Sequence, residues 1–207
     1  MTRRRRQAWA AWIIALAVNW GAVNSVWAES IIAQIKSTVD HVVQILKDPR
    51  LQRDAKVEER RQRLRQIIAP RFDFEEMAKR SLGQHWQRNA ARKDEFVPVF
   101  TRFVENSYVS SIESYKNEKI LYTRERVDKD FAQVDTKVVK SKGDEIPINY
   151  KLHSVGGEWK VYDVVIENVS LVNNYRSQFN RILATASFDD LIKRLQEKTP
   201  EAGRVGL

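Results

Sequence analysis

Residues 120–166 read ILYTRERV-DKD-FAQVDTKVVK-SKGDE-IPINYKLHS-VGGE-WKVYDVVI, and this stretch decides the fold. Its side chains alternate with period two in four runs: Ile120 to Val127, Phe131 to Lys140, Ile146 to Ser154 and Trp159 to Ile166. Period two is the signature of a half-buried strand. The connections Asp128-Lys129-Asp130, Ser141-Lys142-Gly143-Asp144 and Val155-Gly156-Gly157-Glu158 are too short for anything but antiparallel neighbours. Gly143 and Gly156-Gly157 provide the positive φ that tight hairpins require. In the third run Ile148, Tyr150 and Leu152 share one face, while Asn149, Lys151 and His153 share the other. A four-stranded meander with one dry face and one wet face follows.

Helical periodicity flanks the meander on both sides. Ile31, Ile35, Val39, Val42 and Leu46 recur every three or four residues, and Asp48-Pro49 ends that helix. A highly charged helix is expected from Leu51 to Ala69, closed by Pro70. Asp73 followed by Glu76 reads as a capping box opening a short helix that stops near Gly83. The longest helix runs from about Asp94 to Tyr115, with Pro98 expected in its first turn; a start at Asn89 would instead predict a kink at Pro98. Ser170 caps a helix bearing Tyr175 and Phe179, and Ser187 with Asp190 starts the last one. The fold class is therefore α+β: a four-stranded antiparallel sheet with helices packed on its apolar face.

The N-terminus carries an address. Arg3 to Arg6 form a basic start, Ala8 to Val18 an apolar stretch, and Val26-Trp27-Ala28 a cleavage site with small residues at Val26 and Ala28. Residues 1–28 thus read as a signal peptide, which places the mature start at Glu29 and the protein in a bacterial periplasm. Asn19, Asn24 and Ser25 interrupt the stretch and weigh against an uncleaved anchor. The remaining chain divides into one domain, 29–199, and a disordered tail, 200–207. Cysteine is absent, which excludes disulfides, thiolate metal sites, a cysteine nucleophile and the lipid anchor of bacterial lipoproteins. The chain's formal charge of +9 owes four arginines to the export segment, and export argues against nucleic acid as the partner.

Chemistry-bearing motifs are scarce. His41, His85 and His153 fall on a helix, a loop and a strand without metal-ligand spacing, and His153 is expected to point to solvent. No nucleophile elbow, phosphate loop or dinucleotide fingerprint occurs, so neither a cofactor nor an enzymatic activity is expected. Asp163 reads as a structural acid meeting an arginine or lysine rather than as half of a carboxylate pair with Glu167. Apolar and aromatic side chains are abundant instead. Phe100, Phe103, Tyr108, Ile112, Tyr150, Leu152, Tyr162, Val164, Ile166, Tyr175 and Phe179 are candidates to face the space between sheet and helices. They either fill an ordinary core or line a hollow in which tyrosine hydroxyls sit near the mouth. Arg60, Arg61, Arg63 and Arg65 form either a solvated helix face or a dock for an acidic partner.

The run Phe72-Asp73-Phe74-Glu75-Glu76-Met77-Ala78, followed by Leu82-Gly83 and Trp86, resembles the opening signature of the MlaC (toluene-tolerance) family of periplasmic phospholipid-binding proteins. The resemblance continues through Ile112-Glu113-Ser114-Tyr115 and Ile146 to Leu152. It is strongest in Trp159 to Val172 and in Asn174-Tyr175-Arg176-Ser177-Gln178-Phe179. Asn168 departs from the pattern, standing where glycine is expected. The resemblance implies a sheet and helices enclosing an apolar pocket for the tails of a diacyl phospholipid. It further implies a soluble carrier with two partners. One is an inner-membrane ABC transporter with its membrane-anchored substrate-binding subunit, and the other an outer-membrane lipoprotein complex. A related branch accompanies hopanoid synthesis, so another hydrophobic cargo stays open, as do an enzyme on a similar scaffold and a peptide-binding chaperone.

Overall fold

The computed structural model describes residues 29–197; the signal peptide expected at 1–28 and the tail expected at 200–207 lie outside the described residues. Strands β1 (Lys119–Asp128), β2 (Phe131–Val139), β3 (Glu145–Val155) and β4 (Glu158–Ile166) form the expected antiparallel meander. A fifth strand, β5 (Val169–Ser170), adds to the edge beside β4, so the sheet has five strands rather than four. Glu167 and Asn168 between them have φ of 49° and 68°. Two successive left-handed residues make the tight two-residue hairpin turn for which glycine or asparagine is favoured. This is the local reason a glycine would suit position 168.

Two irregularities matter. The pairing of β1 with β2 shifts between Tyr122 and Arg124, and that of β3 with β4 shifts so that Lys151 opposes Asp163 while Leu152 opposes Val161. Tyr162 is the extra residue of the second shift. A bulge of this kind changes the side-chain parity along a strand. Val161 lies on the same face as Val164 and Ile166, and Tyr162 on the opposite one.

The helices are α1 (Ile31–Lys47), α2 (Val57–Ile68), α3 (Phe74–Leu82), the single turn α4 (His85–Arg88), α5 (Lys93–Glu113), α6 (Leu171–Leu183) and α7 (Phe188–Glu197). Helix α2 begins later than expected. Residues 49–51 and 54–56 form separate 3-10 turns, the first capped by Asp48 and pinned by the buried Leu51. Pro98 falls in the second turn of α5, one step further in than expected; both it and the Asp94 whose carbonyl loses its helical donor are exposed, which leaves that end of the helix open to solvent. Asp73 caps α3 as anticipated, accepting from the Glu76 N–H at 2.9 Å. Gly83 ends α3 with φ of 55°, a left-handed conformation that a side chain would strain.

The interior has two unlike ends. At one, α5, α6 and α7 pack solidly around Phe96, Phe100, Phe179 and Phe188, with ring centroids 5.5–6.1 Å apart. At the other, the C-terminal half of α5 diverges from the sheet, and the antiparallel pair α1–α2 arches over the gap.

Candidate functional site

The gap is a cavity of about 760 Å³. Its roof is the inner stripe of α1, with Ile35, Val39, Val42 and Leu46, joined by Leu64 and Ile68 of α2. Val104, Tyr108, Val109 and Ile112 of α5 form one wall. The floor is the dry face of the sheet: Ile120, Val138, Ile146, Ile148, Tyr150, Val161, Val164 and Ile166. Val39, Val42, Val109, Ile112, Ile120, Val138, Ile146, Ile148 and Ile166 are half-buried rather than buried, because roof and floor do not meet. Apolar stripes that would close on one another in an ordinary core here face a hollow.

Of the eleven residues expected around the cavity, the structure brings Tyr108, Ile112, Tyr150, Val164 and Ile166 together on its lining. Phe100, Phe103, Tyr175 and Phe179 belong to the packed aromatic end, where Tyr175 meets Phe100, Phe103 and Phe179 at 5.4–5.9 Å. Leu152 is wholly buried in the solid core. Tyr162 is turned by the bulge onto the outer face, where the Arg80 guanidinium lies 4.1 Å from its ring centroid. Sequence reasoning missed the roof. The α1 stripe was visible as an amphipathic face, and its role became apparent only from what stands opposite it.

The tyrosine hydroxyls on the lining are neutral at any physiological pH. Burial pushes Tyr150 up to about 12. Burial, and then the neighbouring Tyr175, raise Tyr108 further. Tyr122, packed against the core and not on the lining, is also raised by burial, and its hydroxyl has no hydrogen-bond partner among the described residues.

Charges on the lining lie at its margins. Arg61 and its neighbour Arg60 are both turned onto Glu113 of α5, at 3.0 and 2.8 Å, and Arg65 approaches Glu105 at 3.4 Å. Three of the four arginines expected as a solvated or docking face thus clamp α2 onto α5. Arg63, on Glu59, is the most exposed of the four. Burial alone would raise Glu113, but hydrogen bonds from Arg61 and Arg60 outweigh it and hold the carboxyl below its usual range.

Two polar residues of the wet strand face, Asp163 and His153, have structural work. Asp163, 3% exposed, accepts from the Ser170 hydroxyl at 2.7 Å and from the Val172 N–H at 3.2 Å, with the Lys151 ammonium 3.3 Å away. It therefore anchors the N-terminus of α6, where a negative charge is favoured by the helix dipole. His153 does not point freely to solvent: its Nε2 lies 2.9 Å from Asp73 Oδ2, tying β3 to the cap of α3. Among the described residues no group of three histidines or acids is placed to hold a metal ion, and no helix is long and apolar enough to cross a membrane.

Known proteins resemble this chain in fold or in sequence. The fold superposes with a TM-score of 0.71 on the phospholipid-binding protein from Ralstonia solanacearum, solved in complex with a phospholipid. The two sequences are 25% identical over 81% of this chain and 95% of that one. The intermembrane phospholipid transport system binding protein MlaC of Haemophilus influenzae is 25% identical over 145 residues, 67% of each chain. The toluene tolerance protein of Pseudomonas putida is 27% identical over 124 residues, 56% of this chain and 55% of that one. The profile of the MlaC protein family matches residues 36–197, which take in every strand of the sheet and every helix except the start of α1. The chain belongs to the MlaC family.

Proposed function

We propose that the protein is a periplasmic carrier that holds a diacyl phospholipid in transit between the two membranes of a bacterial envelope. The observation that carries this reading is the apolar hollow of about 760 Å³ beneath α1 and α2. Each methylene taken from water is worth about 0.8 kcal/mol, so an acyl chain of roughly sixteen carbons resists crossing water by on the order of 10 kcal/mol. A container that shields the tails removes that barrier without making or breaking a bond. The relatives are named for binding and transport rather than for a reaction, which supports a role without catalysis.

The carrier's partners, on this reading, are an inner-membrane ABC transporter with its membrane-anchored substrate-binding subunit and an outer-membrane lipoprotein complex. The transporter supplies the energy of ATP hydrolysis. The name of the Haemophilus relative, which places it in an intermembrane transport system, supports that assignment. Release requires a partner that binds an opened form more tightly than the closed one. The α2 limb of the arch is the element such a partner would lift, because side-chain clamps onto α5 hold it, whereas α1 shares the main core through Ile31 and Ile35.

Organic extraction and mass spectrometry of natively purified protein test the reading directly. Diacyl phospholipid should be recovered from the unaltered chain. Ile148→Trp on the floor, or Val164→Glu beside it, should abolish that recovery while the protein still folds. Extracts free of any amphiphile, or unchanged lipid in both variants, would sink the carrier assignment.

A further inference from the structure

The cavity lining holds one half-buried cation that no carboxylate matches among the described residues. Arg71 follows α2 and lies between α1 and the start of β4. Its Nη1 donates to Gln34 Oε1 at 2.9 Å and to the Trp159 carbonyl at 3.1 Å, and its Nε donates to Thr38 Oγ1 at 3.4 Å. All three acceptors are neutral. The Nη2 edge makes no bond to a described residue. The other arginines on the lining are matched, Arg61 by Glu113 and Arg65 by Glu105, and Lys140 is exposed at the rim. Glu158, whose charge Arg71 feels, is engaged by Lys160 at 2.6 Å.

A guanidinium fixed on two elements, with one edge unused and apolar Ile35, Val39, Phe72 and Val161 on the same lining, is arranged to receive an anion. Arginine's planar fork suits the oxygens of a phosphate, and withdrawal from water strengthens the pairing. We infer that Arg71 is the anchor for the phosphodiester of the cargo's headgroup, and that it sets the direction in which the tails enter. From Arg71, β4 runs about 23 Å at roughly 3.3 Å per residue, from Trp159 to Ile166. Tails starting at Arg71 would extend along Val161, Val164 and Ile166 toward the far rim at Glu167. This assignment rests on the carrier reading above and adds to it a preference for phosphate-bearing lipids.

The test is competitive loading of the full mature chain, stripped of lipid, from vesicles containing dioleoyl phosphatidylglycerol and dioleoylglycerol. The two share their tails and differ in the phosphate. The unaltered protein should favour the phospholipid. Arg71→Gln should lower the ratio of phospholipid to diacylglycerol at least tenfold, and Arg71→Lys should restore much of it, as loss of a charge-assisted contact predicts. An unchanged ratio in Arg71→Gln overturns the anchor while leaving the cavity reading intact. Equal loss of both lipids in both variants also overturns it, because Arg71 is then only a brace between Gln34 and Trp159. Inorganic phosphate separates a free-ion site from a headgroup site. If phosphate alone binds, and Arg71→Gln removes that binding without moving the lipid ratio, the headgroup assignment falls. Should the unaltered protein load neither lipid, the carrier reading itself fails.

Discussion

At the scale of single residues, Asp163 shows why a buried acid need not be a catalyst. Its oxygens are used by Ser170, by the α6 N-terminus and by Lys151. Asp163→Ala strands these donors and should cost about 2–3 kcal/mol in urea unfolding, with Asp163→Asn costing less. Its structural role was legible from an acid set among apolar neighbours in a strand. The same alternation failed one position away, because the extra residue at Tyr162 reverses which face the chain presents. Nothing in the run Trp159 to Ile166 announces that reversal; it is set by pairing with β3 across the hairpin. His153 likewise lay on the expected wet face, but its acid partner is 80 residues away along the chain.

At the scale of elements, the strands were legible because short turns leave the chain no alternative to antiparallel pairing. Strand β5, only two residues long, is too short to show a period. The start of α2 was misjudged because Asp48 and the buried Leu51 divert the chain into 3-10 turns first. The charged face of α2 was visible, whereas its use was not: Arg60 and Arg61 meet Glu113 more than fifty residues later. That clamp gives a pH signature. A carboxyl held below its ordinary value stabilises the fold fully above the unfolded value, about 4.3, and loses this contribution as pH falls through the lowered folded value. The stability gap between the unaltered protein and Glu113→Gln should therefore be largest near neutrality, on the order of 2 kcal/mol, and close below pH 4. Urea midpoints measured across that range check the sign; a gap that widened in acid would contradict the clamp.

At the scale of the whole molecule, the division into a filled end and a hollow end makes cargo, on the carrier reading, part of the architecture. A ligand present at a thousandfold excess over its Kd stabilises by about 4 kcal/mol. For a chain of this size each kcal/mol moves the melting temperature by roughly 2–4 °C. Stripping the lipid should lower Tm by several degrees, and hydrogen exchange should accelerate first in α1 and α2, with the aromatic end of α5, α6 and α7 unaffected. Uniform acceleration would mean that the arch is not a separate unit. The division itself was not legible in advance, since a list of apolar residues does not reveal which will touch. The sheet also has a border. Strand β1 ends it with one line of backbone groups unpaired, and such a line invites a second copy to zip on. The register shift between Tyr122 and Arg124, followed by Arg124-Glu125-Arg126, breaks the flat template and studs it with charge. Such an edge resists the addition of a second copy, and smoothing that kink should favour fibres.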